Sequence, residues 1–231
     1  DLADEIVAYG LSILSDNDIS FLEPAVGTGA FISAVLRNHK DKSVRNCIGY
    51  EIDKQYFDVA SSLWLDHGLE AKNLDYTSQD PNGHQVNLLI SNPPYVRHHY
   101  ITAEDKTRLS TLVRNEVGIN ISGLAGLYCY FMLLSHKWLA PGAISGWLIP
   151  SEFMDVNYGE SIKEYLLNNV RLLRIHRYDP QNNQFNDALV SSAVVWFVNE
   201  KCEDDYDVEF TFGGTHTDPQ KKKLVKKSVL R

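Results

Sequence analysis

What most constrains the fold of this chain is an alternation. Short apolar runs end on glycine, acid or proline, and segments with helical spacing follow them. Ile19–Leu22 runs into the turn Gly27-Thr28-Gly29, and Phe31–Leu36 reads as the helix behind it. Cys47–Tyr50 ends at Glu51, and Asp53 is placed to cap a helix with Tyr56, Val59, Ala60 and Leu63 on one face. A short third strand is expected to end near Leu74-Asp75. Val86–Ile90, apolar except for Asn87, reads as a buried fourth strand ending at Asn92-Pro93-Pro94-Tyr95.

The rest of the chain continues the pattern. Helical spacing covers Leu2–Leu14 and Leu124–Leu139, and a Pro141-Gly142 turn precedes a strand at Ala143–Leu148. A helix Tyr158–Leu167 and strands Val170–His176 and Ser192–Val198 complete the set, with Arg97–Asn120 left as a long loop holding a short helix near Glu104–Val113. Repeated β-α-β order implies an α/β fold, with a mostly parallel sheet covered by helices on both faces.

At 231 residues with 44% hydrophobic residues, the chain is expected to form one large domain. Cys47, Cys129 and Cys202 fit neither a disulfide framework nor a zinc template, so a cytoplasmic setting is expected. The acidic start at Asp1–Ile6 is no signal peptide, and Gly123–Leu134 is too short for a membrane span. The net charge of −8 hides an asymmetry: Lys221–Arg231 holds six of the 22 basic residues and no acid, leaving 16 basic against 30 acidic residues before it. Such a body argues against broad wrapping around phosphates and leaves room for a basic element supplied elsewhere. The composition changes after Asn199, where an acidic stretch and Gly213-Gly214 precede the lysines; residues 201–231 are expected to be a linker or the start of another region.

The chemistry-bearing residues sit at the strand ends. In Glu23-Pro24-Ala25-Val26-Gly27-Thr28-Gly29-Ala30-Phe31 the glycines let a ligand approach the backbone, while Ile32 stands where a dinucleotide fingerprint would have its third glycine. A tight strand-to-helix turn is the plain alternative. Glu51 is placed to accept hydrogen bonds from two ribose hydroxyls, and Asp75 to accept from an adenine amine, with Tyr76 as a neighbouring aromatic edge. Three compatible strand ends in succession point to a nucleoside-bearing cofactor. At Asn92-Pro93-Pro94-Tyr95, two prolines fix the backbone so that the Asn92 and Pro93 carbonyls can share a direction. Two acceptors gripping the hydrogens of a conjugated amine would draw its lone pair out of the ring and line it up with a sulfonium methyl, with Tyr95 as a flat face for the substrate.

Together these motifs resemble the gamma-class DNA adenine-N6 methyltransferases of restriction-modification systems. The likeness runs from Leu2-Ala3-Asp4-Glu5-Ile6 through Glu23–Phe31, Gly49–Asp53, Asp75-Tyr76, Asn92–Tyr95, Leu127-Tyr128 and Gly146–Pro150 to Phe185 with Val190–Ala193, over roughly residues 1–200. It implies a Rossmann-like methyltransferase fold with a mostly parallel seven-stranded sheet, and S-adenosylmethionine as cofactor. Cofactor contacts are implied for Glu23, Gly27, Gly29, Phe31, Glu51, Ile52, Asp75 and Tyr76. Asn92, Pro93 and Tyr95 would receive an adenine flipped out of double-stranded DNA, with Phe185 as a further aromatic contact. The resemblance also implies a Thr-Pro just before Leu2 and a target-recognition domain after the catalytic one, neither of which this sequence holds. No metal, no membrane and no particular oligomeric state are implied.

Three rival readings use the same residues. A protein glutamine methyltransferase presents a similar amide to Asn-Pro-Pro-Tyr, but Glu23-Pro24, the long segment after Tyr95 and Phe185 resemble the DNA enzymes more. Cytosine-amine enzymes usually carry Ser at the position of Asn92. A silent nucleic-acid-binding scaffold would not need Glu51, Asp75 and Asn92 together. Arg97-His98-His99-Tyr100 is as well read as a solvated loop as a phosphate contact, and no carboxylate is spaced to make a metal site with His98 and His99. Trp138, Trp147, Trp196, Tyr128 and Tyr130 read as core. Lys221–Lys227 reads either as a solvated tail or as a DNA contact.

Overall fold

The computed structural model describes residues 1–179 and 191–230. Its centre is a sheet of nine strands in the order β3-β2-β1-β4-β5-β7-β6-β8-β9. These are β1 (Asp18–Glu23), β2 (Ser43–Tyr50), β3 (Leu69–Lys72), β4 (Val86–Ser91), β5 (Leu139–Pro150), β6 (Arg171–Arg177), β7 (Ser192–Val198), β8 (Asp207–Gly214) and β9 (Pro219–Lys226). Only β7 and β9 run against the rest among the described residues. The sheet is mostly parallel, as expected, with nine strands rather than seven.

Helices α1 (Leu2–Ile13), α2 (Ala30–Asn38) and α3 (Lys54–Trp64) cover one face, and α4 (Ala103–Val117), α5 (Leu127–Leu134) and α6 (Glu160–Asn168) the other. The alternation of side chains along each strand divides the core accordingly. Leu88, Ile90, Val194 and Trp196 face the first layer, while Leu89, Val195 and Phe197 face the second. Glycines allow the closest approach on the first face: a Cβ on Gly146 would run into the Trp196 indole, and one on Gly10 would stand 2.9 Å from it. Helix α1, which carries the opening motif, thereby lies directly on the middle of the sheet. Trp138, Trp147 and Trp196 are all buried, as are Tyr128 and Tyr130.

Several elements differ from the sequence reading for identifiable reasons. Arg97–Asn120 is not mainly loop, because α4 fills most of it. Thr102 caps its first turn by accepting from the Asp105 amide at 3.0 Å, and Gly118 ends it at φ +74°. Helix α5 starts late because the Leu127 amide is committed to the Val96 carbonyl at 2.9 Å, and its last turn tightens at Ser135–Trp138. The apolar face of α3 is mostly open: Ala60 is buried, but Tyr56, Val59 and Leu63 are about half exposed. Residues 207–226 form a hairpin that extends the sheet. There Val208 is buried, Glu209 pairs with Arg174 and Lys222, and Lys226 pairs with Asp207. A lysine run that reads as a solvated tail is thus an edge strand of the kind that charge keeps from further pairing.

Candidate active site

The strand order reverses beside β1: the chain steps outward through β2 and β3, then returns to place β4 on the other side. The crevice outside the carboxyl ends at such a point is where parallel sheets bind ligands. A cavity of about 530 Å³ opens there. Gly27, Glu51, Ile52, Asp75, Asn92 and Arg108 are among the residues that wall it. The loops after four neighbouring strands therefore meet, and the residues singled out at each strand end share one space.

The glycine turn is built for close approach. Gly27 has φ +54°, and a Cβ on it would meet no atom within 4 Å, so its open side faces free space in the cavity wall. Gly29, at φ +88°, begins α2, and a side chain there would collide with the indole of Trp64. Trp64 reaches over from α3 and donates from Nε1 to the Thr28 carbonyl at 2.8 Å. Glu23 lies beneath the turn, 3% exposed, and accepts from the Ile32 amide at 3.3 Å. Burial pushes its carboxyl well above the usual range and the nearby Glu51 charge adds to the shift, against the pull of the Ile32 amide.

Glu51 is held at both oxygens. One accepts from the Gly27 amide and the other from the Asp53 amide, each at 2.9 Å, so the acid that faces the cavity also fixes the turn across from it. Asp53 in turn caps α3, accepting from the Gln55 amide at 2.8 Å. Asp75 caps a single helical turn and accepts from the Thr77 amide and hydroxyl and from Ser78. Arg108 of α4 lies 3.4 Å from it and from Asp105. The sequence reading, with only a short helix near Glu104–Val113, does not single out Asp105, Arg108 or Leu109; the pair Thr102 and Asp105 is the available signal for the full helix.

Ile52 is 72% exposed at the rim of the cavity, and Phe131 of α5 forms part of its wall. A flat purine fits such an apolar setting beside Glu51 and Asp75. Tyr76 also reaches the wall, but its ring is 2% exposed and packs among Tyr50, Phe131 and Trp138. Glu23, Gly29 and Phe31 stand behind the cavity and shape the turn from below.

On the other side of the crevice, β4 ends at the fully buried Ser91, and Asn92 emerges into the cavity wall with its side chain exposed. Pro93 is buried, and Pro94 contributes to the wall. Tyr95 donates its hydroxyl to the Leu148 carbonyl at 3.0 Å and meets Tyr128 edge to face at 6.5 Å; the residue is 39% exposed, and neither it nor Pro93 is among the residues that wall the cavity. These contacts join Asn92–Tyr95 to both Leu127-Tyr128 and Gly146–Pro150. Phe185 and Val190 lie outside the described residues, while Ser191 accepts from the Ser151 hydroxyl at 2.9 Å.

This geometry agrees with what the chain is similar to. Residues 37–185 match the Eco57I restriction-modification methylase family, and the chain belongs to that family. It is 28% identical over 204 residues to the Type II methyltransferase M.AccI of Acinetobacter calcoaceticus, covering 86% of this chain and 36% of that protein. Among solved structures, the type IIG restriction endonuclease BpuSI superposes with a TM-score of 0.75 at 18% identity, over 99% of this chain and 31% of its own. A Listeria monocytogenes protein assigned to the class I S-adenosylmethionine-dependent methyltransferases gives 0.73 at 17% identity, over 94% and 65%. The fold is that of the class I methyltransferases. The chain spans about a third of the length of the curated relatives it matches.

Proposed function

We propose that this chain is the catalytic part of a restriction-modification methyltransferase that transfers a methyl group from S-adenosylmethionine to the N6 amine of adenine in DNA. One observation carries the reading: Asn92, at the head of the Asn-Pro-Pro-Tyr turn, walls the same cavity as Glu51 and Asp75, so an acceptor for the target amine and a nucleoside site open on each other. The cofactor supplies an electrophilic methyl on a sulfonium. Glu51 accepts from the ribose hydroxyls and Asp75 from the adenine amine, the latter sharing an oxygen with Thr77 or Ser78. The uncrowded backbone at Gly27 admits the cofactor beside the glycine turn.

The chain's remaining task is to present the acceptor. Asn92 and the Pro93 carbonyl take the two hydrogens of the target amine and localise its lone pair, while Tyr95 stacks on the flipped base. No strong base is required: the nitrogen would attack while neutral as the S–CH3 bond breaks and leaves a neutral thioether, positioned acceptors would hold the positive charge that develops on nitrogen, and its surplus proton would pass to solvent after transfer. Phe185 is assigned as a second aromatic contact on the base. Residues 1–200 carry this chemistry, and double-stranded DNA is the partner. Sequence reading falls to a target-recognition region of the parent protein, toward which residues 201–231 lead. All three cysteines are free and, among the described residues, no helix is long and apolar enough to cross a membrane, which supports a cytoplasmic setting.

The test is mass-spectrometric nucleoside analysis of DNA from cells expressing the parent protein beside its Asn92→Ala variant. N6-methyladenine should rise with the parent and stay at background with the variant. N4-methylcytosine, or methylation of protein glutamine with DNA unchanged, would reject the assignment.

A further inference from the structure

Away from the cofactor cavity, and sharing no residue with it, three side chains remote in sequence converge. They are Glu5 of α1, His176 of β6 and His216 in the turn between β8 and β9. His176 is 0% and His216 2% exposed. Glu5 Oε1 accepts from the His216 backbone amide at 2.7 Å and lies 2.9 Å from His216 Nδ1, and the two imidazole rings stand 4.4 Å apart. His176 Nδ1 is 2.8 Å from the Thr211 hydroxyl.

What this arrangement lacks is a partner for two of its ring nitrogens. The Nε2 atoms of both histidines are buried with no hydrogen-bond partner. Buried polar groups are paired in the great majority of cases, and two unpaired imidazole nitrogens beside a carboxylate call for an explanation. An ion supplies one. One ligand atom from each of the three residues lies within 4.8 Å of the other two. Tetrahedral zinc, with bonds of about 2.0–2.2 Å, spaces its ligand atoms roughly 3.3 Å apart, so Glu5 Oε1 and His216 Nδ1, 2.9 Å apart, must open by only a few tenths of an ångström, and with His176 Nε2 as third ligand the ion accounts for the unpaired nitrogen of His176.

The surroundings suit a cation of that kind. Thr211 Oγ1 is placed to accept the Nδ1 proton of His176, the outer contact that orients Nε2 toward a metal. Arg174, which donates from Nε to the same hydroxyl, is neutralised by Glu209 at 2.9 Å. The Tyr178 hydroxyl, 3.4 Å from His216 Nδ1, is the neighbouring group for a fourth position. Two imidazoles and one carboxylate match the preference of zinc-type ions over magnesium or calcium.

We propose that Glu5, His176 and His216 form a structural site for a divalent transition-metal ion of the zinc class. The ion ties α1, with its opening motif, to β6 and to the β8–β9 hairpin. No sequence spacing announces the site, because each ligand comes from a different element and only the sheet order brings them together.

The experiment uses the whole chain, stripped with a chelator and titrated with ZnCl2 by calorimetry, with Tm followed in parallel. One equivalent should bind and raise Tm. Co2+ should give a visible spectrum without a thiolate charge-transfer band, which separates this site from Cys47, Cys129 and Cys202. Glu5→Gln, which keeps an acceptor for the His216 amide, and His176→Gln should each weaken zinc binding at least tenfold. His216→Ala should abolish it, and if that variant does not fold the other two decide. Absence of binding, binding unchanged in both Gln variants, or a thiolate band with Co2+ would overturn the proposal.

Discussion

The two sides of the crevice are prepared to different degrees. On the β1–β3 side, Glu51 and Asp75 are held by backbone amides, hydroxyls and Arg108, so a nucleoside would meet a surface whose geometry is already set. On the β4–β5 side, the backbone of Asn92–Tyr95 is fixed by prolines and by Tyr95, yet among the described residues the Asn92 amide has no hydrogen-bond partner. The difference matches two kinds of ligand. A cofactor of constant shape rewards preorganisation, whereas a base that must leave its duplex needs an open receptor whose acceptors are still free.

The largest effect should come from the open side. Asn92→Ala is expected to lower methyl transfer by roughly 10²- to 10³-fold or more, the range for losing one positioned transition-state contact. Cofactor affinity, measured by calorimetry, should stay nearly constant. If affinity falls as far as turnover, the two sides are one coupled site and the contrast between them fails.

Glu51→Gln attacks the prepared side. The amide keeps the shape but loses the charge and one of its acceptor oxygens, and a hydrogen bond to a charged group is worth about 1.5–3 kcal/mol. Cofactor binding should therefore weaken by roughly 10- to 100-fold, with the turnover of saturated enzyme much less affected. Unchanged affinity would mean that Glu51 serves only to brace Gly27.

The same contrast separates what could be read in the sequence from what could not. Glu51, Asp75 and Asn92 were legible because each follows a strand directly, and parallel strands bring their carboxyl ends to one edge whatever the side chains between them. Arg108 was not, since its place depends on α4, whose periodicity is masked by charged residues. The α3 face shows the converse: Tyr56, Val59 and Leu63 share one side as their spacing says, but no element among the described residues covers them. The β8–β9 hairpin was hidden because Lys222 is neutralised by Glu209 and Lys221 lies over the Phe212 ring across the strands, a relation invisible in composition.

Tyr95 offers an intermediate effect that tests the open side a second way. Tyr95→Ala removes the stacking face and should weaken binding of DNA bearing an abasic or mismatched partner opposite the target, by the roughly 1–3 kcal/mol of one base–aromatic stack. Tyr95→Phe keeps the ring and gives up the hydroxyl's hydrogen bonds, that to the Leu148 carbonyl among them, at about 1 kcal/mol each. Equal losses from both would place the function in the hydroxyl.

The smallest effect belongs to Trp64, which touches the prepared side from outside. Its indole N–H holds the Thr28 carbonyl, while its ring occupies the space that a side chain at position 29 would need. Trp64→Phe keeps most of the ring and removes the donor, so the glycine turn loses one partly exposed hydrogen bond, worth about 0.5–1.5 kcal/mol. Because that bond shapes the turn without facing the cavity, only a fraction of its worth should reach the cofactor: affinity should fall by about twofold to fivefold, with methyl transfer at saturation unchanged. Calorimetry beside single-turnover kinetics checks both halves. A loss as large as that of Glu51→Gln would show that the turn is not preorganised by its own glycines and Glu51 but depends on α3 to hold it, and the two sides of the crevice would then differ less than the hydrogen bonds suggest.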